Sequence, residues 1–375
     1  MTPPSSPRSA ASAPLTPPPS PPPPFPSSPT PPALLRSPSP VPVPGSPPPA
    51  PHVLVLTGDD DAHADRVTAL LAGRGARVTV FDPGSFPVAA AVELGYTPDG
   101  AVRRLLRTGD GTVDLGTVTA LWWRRPSRPR PHPGLTDPAV AGYVAAECQS
   151  LVTGLWEGLP CHQVPARESV FRRAGDKTAQ LALAARLGFA VPETVITTDP
   201  ETFLDFHDRH DGRIVTKALN MPFIEGVGGD LFVHRLCEQV SSRDVAYADG
   251  LRFCPVIVQE VVSKRVELRV TVVGRRIFAA EIHSQESNRT GLDWRRYDTT
   301  VTPHRPHELP DEVAALCLVL MDRLELAYGA IDLILTPDGR HVFLEINPNA
   351  QWLWIEDLTG LPISEAICDL LLGGV

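Results

Sequence analysis

Runs of apolar residues divide the chain after residue 50 into short strands and helices. His52 to Thr57 is apolar through its middle and predicts a buried strand, Ala62 to Leu71 has helical spacing, and Arg77 to Phe81 predicts a second strand. This order predicts a β-α-β unit with a parallel sheet. A further strand is predicted over Val113 to Trp123, where it completes a small first domain.

The second half of the chain alternates strands with helices, which is typical of an α+β fold. Helices are predicted at 139–156, 176–187, 203–210 and 313–324, and strands at 213–218 and 256–262. Two hairpins complete the pattern. One spans 266–282 about Gly274, and the other joins Ile331–Leu335 to His341–Asn347.

The last hairpin carries polar residues that a buried hairpin should not contain. If Asp338-Gly339 forms a two-residue turn, Asp332 falls opposite Glu345, and Asn347 lies on the same face. Paired carboxylates are costly to bury, so a divalent cation between them is the economical explanation. Magnesium suits such oxygen ligands and takes others from phosphates, which predicts a nucleotide site. The opposite face is predicted to be apolar and to consist of Ile331, Leu333, Leu335, Val342, Leu344 and Ile346.

The composition changes at about residue 50. Residues 1–50 hold more than half of the 43 prolines, and their charged side chains are Arg8 and Arg36. Such a segment cannot bury enough apolar surface to fold, so we expect a disordered Pro-rich tail. A ligand for a partner domain is one alternative, and a start codon assigned too early, with the true start near Val41 or Val43, is another.

Net charge and cysteine spacing narrow the class of protein. A net charge of −9 argues against a nucleic-acid partner. No apolar run reaches the length of a membrane span, and the tail lacks the apolar core of a signal peptide. The six cysteines show no C-x-x-C pair, which is typical of reduced thiols. We therefore expect a cytoplasmic protein that binds neither nucleic acid nor a membrane.

Other candidate residues are individually weak signals. Lys177 at a helix start and Lys217 late in a strand suit phosphate oxygens, although each could be a solvated surface charge. The loop Ile224–Asp230 could cover phosphates with its backbone N–H groups, or it could simply be a hairpin turn. The Glu267-Leu-Arg269 triplet could hold ribose and phosphate, while a salt-bridged sheet face is the plainer interpretation.

The order of these features resembles the ATP-grasp superfamily over roughly Arg167 to Val375. The resemblance implies an α+β ATP-grasp fold of two lobes over 171–375, an N-terminal α/β (pre-ATP-grasp, βαβ) domain over 51–126, and a linker with a helical connection over 127–170. It implies that ATP is bound with Mg²⁺, as one ion or two. The implied ATP-binding residues are Lys177, Lys217, Gln259, Glu260, Val261, Val262 and Glu267, the metal ligands are Asp332, Glu345 and Asn347, and the catalytic residue is Arg269.

Within the superfamily, longer stretches are similar to the ATP-grasp ribosomal peptide maturases, the microviridin or graspetide ligases. These stretches are Trp123–Pro126, Glu267–Gly274, Ala280–Ser284, Asp293–Tyr297 and Glu345–Trp354. The resemblance implies an ADP-forming ligase that phosphorylates Asp or Glu carboxylates of a precursor peptide, with leader and core, and joins them to Ser or Thr hydroxyls or Lys amines. It also implies a homodimer.

Five further residues are candidates for ligand contact. Arg295 and Arg296 could contact the nucleotide, or they could belong to an exposed basic loop. His283 and Trp294 could contact substrate, with an ordinary core histidine as the alternative for His283. Trp352 and Trp354 are predicted to alternate on an extended segment; Trp352 could wall the peptide site, but packing is the simpler interpretation.

Three other functions remain open from the sequence. An ATP-grasp ligase that adds free amino acids to a carboxylate would share the nucleotide half, and it would lengthen its product instead of dehydrating it. A kinase of small polyols would need a strongly basic substrate pocket. A peptide-binding protein without catalysis is disfavoured by the intact Asp332, Glu345 and Asn347 set.

Overall fold

The computed structural model describes residues 50–220, 236–286, 291 and 302–373, together with the backbone of 223–224 and 233–234. Most of the predicted tail, the centre of the predicted glycine loop at 225–230, and the candidates Trp294, Arg295 and Arg296 lie outside the described residues. None of the described helices is both long and apolar enough to cross a membrane.

The first part of the described chain contains a parallel sheet and a smaller antiparallel one. Its elements are β1 (His52–Thr57), α1 (Ala62–Gly73), β2 (Arg77–Phe81), β3 (Ala91–Tyr96), β4 (Val102–Thr108), β5 (Gly111–Asp114), β6 (Ala120–Arg125), α2 (Pro138–Glu157) and β7 (His162–Val164). The parallel sheet has the order β2-β1-β6-β7, and β3, β4 and β5 form the antiparallel sheet. The predicted β-α-β unit is therefore confirmed.

The single strand predicted over 113–123 is wrong in its extent. Val113 belongs to β5, a short 3-10 turn spans Leu115–Thr117, and β6 begins only at Ala120. The side chain of Asp114 accepts a hydrogen bond of 2.9 Å from the N–H of Gly116, and this ends the first strand. The nearly continuous run of β-branched and apolar residues concealed this local turn.

The second part contains two main antiparallel sheets and a short two-stranded one, with helices packed against them. Its elements are α3 (Glu168–Ala174), α4 (Lys177–Leu187), β8 (Thr194–Thr197), α5 (Pro200–Arg209), β9 (Ile214–Lys217), β10 (Phe223–Ile224), β11 (Val233–His234), β12 (Glu238–Gln239), α6 (Ser242–Ala246), β13 (Val256–Glu260), β14 (Val266–Val273), β15 (Arg276–Ile282), β16 (His304–His307), α7 (Asp311–Leu324), β17 (Tyr328–Leu335), β18 (His341–Asn347), α8 (Leu353–Thr359) and α9 (Ile363–Leu371).

Of the two main sheets, the smaller has the order β12-β9-β13-β8, and the larger has the order β16-β15-β14-β17-β18. Strands β10 and β11 form the two-stranded sheet. The predicted helices correspond to α2, α4, α5 and α7. The hairpin about Gly274 is confirmed as β14 and β15, and Gly274 has the positive φ of 58° that glycine adopts without strain. The extended segment predicted around Trp354 is wrong, because Trp354 lies inside α8.

An apolar core joins the first sheet to the C-terminal helices. Val53 and Val55 of β1 pack with Trp352, with Ile355 of α8, and with the inward face of α9. Gln180 provides a second connection, between α4 and the larger sheet. Its amide accepts from the N–H of Ile346 (3.1 Å) and donates to the carbonyl of the same residue (2.9 Å). These contacts hold the start of α4 against the end of β18.

Candidate active site

The polar cluster predicted on the last hairpin is present. Asp332 on β17 pairs with Glu345 on β18. Asn347 lies beside both, with its Nδ2 at 3.4 Å from Asp332 Oδ2 and 3.5 Å from Glu345 Oε1. We call these three residues the acidic triad. The predicted register of the hairpin is confirmed at this point.

The register arises differently from the prediction. Near the turn Leu335 pairs with His341, which leaves Thr336 and Arg340 to close a three-residue loop with Gly339 at φ 88°. The register then shifts by one residue, because Leu344 forms a β-bulge. The longer turn and the bulge cancel one another at Asp332.

The bulge also changes which residues face the core. The prediction placed Leu344 on the apolar face, but Phe343 occupies that position, fully buried beside Leu333 and Ile346. Leu344 instead lines a cavity on the face of the acidic triad. The predicted composition of the apolar face is therefore wrong at Leu344 and also at Val342, which pairs with Ile334 on the opposite face, since a one-residue shift exchanges the two faces of a strand.

Each carboxylate of the acidic triad faces a cation. Lys177 Nζ, at the start of α4, lies 3.1 Å from Glu345 Oε2, and Arg269 Nη1, on β14, lies 2.8 Å from Asp332 Oδ1. Burial by itself lowers the pKa of Arg269, but the facing carboxylate of Asp332 reverses this, so the pKa lies above its usual value. The site therefore places one lysine and one arginine against its two carboxylates.

A cavity of about 370 Å³ lies between the two main antiparallel sheets of the second part, with the acidic triad in its wall. Its lining includes most of the predicted nucleotide residues, namely Lys177, Lys217, Gln259, Glu260, Val261, Val262 and Glu267, together with Leu344 and Ile334. A volume of this size is typical of a small-molecule or cofactor site. The structure brings these residues together in one cavity, and their roles stay predictions.

Side-chain contacts fix the polar groups of this cavity. Lys217 Nζ donates to Gln259 Oε1 at 2.6 Å, and Gln259 Nε2 donates to Thr194 Oγ1 at 2.9 Å. Glu267 Oε1 accepts from Lys264 Nζ at 3.0 Å and from Ser284 Oγ at 2.8 Å. Lys264 was not among the predicted residues, because it is a single lysine in a short connection.

A second cavity of about 420 Å³ adjoins the first across the acidic triad. Besides the triad it is lined by Arg125, Arg269, Trp354 and residues 348–351. The loop 348–351 is fixed from both sides. Tyr328 Oη donates to the carbonyl of Ala350 at 2.9 Å, and the Asn349 amide donates to the carbonyl of Arg124. In the sequence, Arg125 belongs to a stretch that resembles the peptide maturases, but no function was predicted for its side chain.

Two predicted substrate residues lie elsewhere. Trp352 is 1 % exposed and packs against Trp122, so it corresponds to the packing alternative. His283 Nε2 lies 2.8 Å from Glu281 Oε2, and His283 is absent from the lining of both cavities as far as the described residues define them.

The donor set of the acidic triad suits a hard cation. Its carboxylate and amide oxygens are of the kind that Mg²⁺ binds. No three described His, Cys, Asp or Glu side chains converge as metal ligands. A cation here would therefore need Asn347 and phosphate or water oxygens to complete its coordination.

Comparison with known proteins agrees with this geometry. Residues 52–170 match the family model described as the MvdD pre-ATP grasp domain. Macrocyclase MdnC from Microcystis aeruginosa MRC, solved bound with precursor peptide MdnA, is 30 % identical; the match covers 86 % of this chain and 99 % of that one, with a TM-score of 0.76. Comparison with curated proteins gives no match.

Two other solved structures are similar over comparable lengths. A RiPP-associated ATP-grasp ligase from Chryseobacterium gregarium, in complex with ADP and a leader and core peptide, is 29 % identical over 87 % of this chain and 97 % of that one, with a TM-score of 0.79. Macrocyclase MdnB from Microcystis aeruginosa MRC is 29 % identical over 86 % and 99 %, with a TM-score of 0.71.

The facing sheets and the cavity between them, with its lysines and acidic triad, define an ATP-grasp ligase. More particularly, the chain belongs to the family of ATP-grasp macrocyclases that mature ribosomal peptides. The predicted fold class and the predicted family are confirmed.

Proposed function

We propose that this protein is an ATP-dependent peptide macrocyclase that phosphorylates Asp or Glu side chains of a precursor peptide and joins them to Ser or Thr hydroxyls or to Lys amines. One observation carries the proposal. Two cavities meet at the acidic triad, one of them lined by lysines and the other by arginines. A nucleotide in the first would present its terminal phosphate to a carboxylate in the second.

The contacts of the first cavity indicate how ATP would lie. The N–H groups of Glu260 and Val261 already donate to the carbonyls of Glu193 (3.0 Å) and Arg213 (2.9 Å). An adenine at this edge would therefore use the carbonyl of Glu260 and the N–H of Val262. Leu344 and Ile334 would pack against the nucleotide, and Glu267, which Lys264 and Ser284 hold in place, would accept from the ribose hydroxyls.

Lys177 and Lys217 would bind phosphate oxygens at the other end. Lys177 now faces Glu345, so phosphate binding would exchange that carboxylate for a phosphoryl oxygen. Asp332, Glu345 and Asn347 would hold Mg²⁺, as one ion or two. When bound, the ion supplies positive charge to the phosphate oxygens as negative charge shifts onto the leaving group.

The proposed reaction has two steps. A carboxylate oxygen of the peptide attacks the γ-phosphorus, the bond from that phosphorus to the bridging oxygen breaks, and an acyl phosphate and ADP result. A hydroxyl or amine then attacks the acyl carbon, phosphate leaves with the former carboxylate oxygen, and the nucleophile loses its proton. Arg269 lies at the junction of the cavities, where it would stabilise the developing negative charge.

The test uses the full chain with ATP, Mg²⁺ and the candidate precursor peptide encoded beside its gene. We expect the peptide to lose the mass of one water for each bond formed, with one ADP released per bond. Fragmentation of the product would separate ester links, which mild base cleaves, from amides. An Asp332→Asn variant should leave the peptide unchanged.

Other outcomes would assign a different function. A product heavier by one amino-acid residue would indicate ligation of free amino acids, and a stable gain of phosphate would indicate a kinase. An unchanged mass with every neighbouring candidate peptide would refute the proposal. The expected homodimer is tested separately, by the mass of the purified protein measured in light scattering.

A further inference from the structure

The end of β6 carries an irregularity in its pairing with β1. Trp122 and Trp123 obey strand alternation: Trp122 lies in the core with Trp352, and Trp123 packs on the other face against Phe171. The pairing with β1 then passes from Leu56↔Trp123 directly to Thr57↔Arg125. Arg124 is thus the extra residue of a β-bulge.

The bulge determines which way the two arginines point. In a regular strand Arg125 would follow Trp123 to the face away from the acidic triad. Because Arg124 is inserted, both arginines turn to the other face. The Arg124 guanidinium lies 5.2 Å from the centre of the Trp352 ring, and Arg125 reaches the side chain of Gln351 in the second cavity.

The two arginines differ in how their charges are balanced. Arg124 is fully buried and its Nε lies 3.0 Å from Asp61 Oδ2, so its charge is paired inside the protein. Arg125 lines the second cavity, and no described carboxylate lies within 4.0 Å of its guanidinium. A buried pair anchors the strand end, and the neighbouring cation is left to face the cavity.

Gln351 holds Arg125 in a defined orientation. With its oxygen toward Arg125, the Gln351 amide accepts from Nη1 at 3.1 Å and from Nη2 at 2.7 Å. The backbone carbonyl of Gln351 accepts from Arg269 Nη2 at 3.4 Å. Gln351 therefore lies between two guanidinium groups, of which Arg269 already faces Asp332. Of the two, Arg125 is the guanidinium whose Nη1 and Nη2 both donate to a neutral amide oxygen.

We propose that Arg125 binds the side-chain carboxylate of the peptide that is to be phosphorylated and selects an acid over its amide at that position. The proposal rests on the proposed function. A planar guanidinium matches a carboxylate with two parallel hydrogen bonds, and such charge-assisted bonds are about twice as strong as those to a neutral amide oxygen. A peptide carboxylate would therefore replace the Gln351 oxygen as the acceptor of the two Arg125 hydrogen bonds, or share these bonds with it.

The test compares Arg125→Gln and Arg125→Lys with Arg128→Gln, all in the full chain with the same precursor peptide. Arg128 is an exposed arginine three residues further on that lies outside the lining of both cavities. The loss of one charge-assisted contact is expected to raise the KM for peptide roughly 10- to 100-fold in Arg125→Gln. The KM for ATP should stay within about twofold. Arg125→Lys should fall between, and Arg128→Gln should match the unaltered protein.

A second readout separates binding from a structural effect. A peptide whose reactive acids are replaced by their amides is titrated as an inhibitor. The unaltered protein should bind it more weakly than the acidic peptide, and Arg125→Gln should bind the two about equally.

The results also distinguish this inference from the function on which it rests. An unaltered protein that forms no crosslink refutes both. If the unaltered protein crosslinks the peptide but Arg125→Gln keeps its peptide KM and its preference for the acid, Arg125 does not bind the carboxylate. A rise in the ATP KM as large as that in the peptide KM would refute the inference equally.

Discussion

Replacing either carboxylate of the acidic triad by its amide should abolish turnover, but the two variants should differ in stability. Asp332→Asn and Glu345→Gln each remove one negative charge from the proposed metal site, so we expect turnover to fall by roughly 100-fold or more. Their partners differ. Asp332 faces Arg269, whose side chain is 6 % exposed, while Glu345 faces Lys177, whose side chain is 26 % exposed.

The size of the difference follows from these exposures. Removing one partner of a buried ion pair costs about 3–5 kcal/mol, and the low end applies to Asp332 because Glu345 remains near the same guanidinium. The pair of Glu345 with Lys177 is partly hydrated and is worth about 1 kcal/mol or less. Relief of repulsion between the carboxylates lowers both costs equally. We therefore expect Asp332→Asn to lose about 2 kcal/mol more.

Urea unfolding without Mg²⁺ or nucleotide, monitored by tryptophan fluorescence, measures this difference. The comparison holds when the free energy of unfolding depends on urea concentration with the same slope in both variants. The double variant Asp332→Asn/Arg269→Met removes both charges of the buried pair, and it should recover part of the loss. Equal free energies of unfolding for Asp332→Asn and Glu345→Gln would refute the argument from burial. So would a double variant Asp332→Asn/Arg269→Met that loses more stability than Asp332→Asn and Arg269→Met lose when their separate losses are added.

Three further predictions follow from single contacts. Lys217→Met should raise the KM for ATP at least about tenfold while the KM for peptide changes little, as steady-state kinetics would reveal. Gly339→Ala should destabilise the protein by about 1 kcal/mol in urea unfolding, because φ at this position is 88°, whereas Gly109→Ala, at a turn glycine without positive φ, should not. Burial and the nearby Arg124 lower the pKa of His63 from 6.5 to about 4, so its neutral form contributes stability above pH 6.5 that is lost as the pH falls toward 4. His63→Gln should flatten the dependence of unfolding free energy on pH in that window, and the same change at the exposed His132 should not; an unchanged slope in His63→Gln would contradict the assignment.

Much of the fold was predictable because it depends on local periodicity. Strand and helix patterns carry their own boundaries, as in α4, which starts after the capping Asp176 and ends at Gly188 with a φ of 104°. The pairing of Asp332 with Glu345 was predicted from a two-residue turn, and it is present because a three-residue turn and the bulge at Leu344 cancel one another. Such features need only neighbours in the sequence.

The contacts that were missed depend on residues far apart in the sequence. Gln180 bonds to both backbone groups of Ile346, 166 positions away, and nothing in the pattern around Gln180 distinguishes it from a surface residue. The sequence favours packing for Trp352 over a wall of the peptide site, but it does not reveal the packing partner. That partner is Trp122 of the first sheet, which is far away in the sequence.

Two β-bulges determine the chemistry of the site more than any single motif does. The bulge at Leu344 restores the pairing of Asp332 with Glu345 and turns an apolar side chain toward the nucleotide cavity. The bulge at Arg124 turns Arg125 toward the neighbouring cavity. Each inserts one residue where strict alternation would have hidden a functional side chain on the wrong face, and each lies where a strand enters the site. Deleting Arg124 would leave Arg125 directly after Trp123, opposite Thr57 and on the face that it occupies now. We therefore expect this deletion to raise the peptide KM much less than Arg125→Gln does, while the loss of the buried partner of Asp61 lowers the free energy of unfolding.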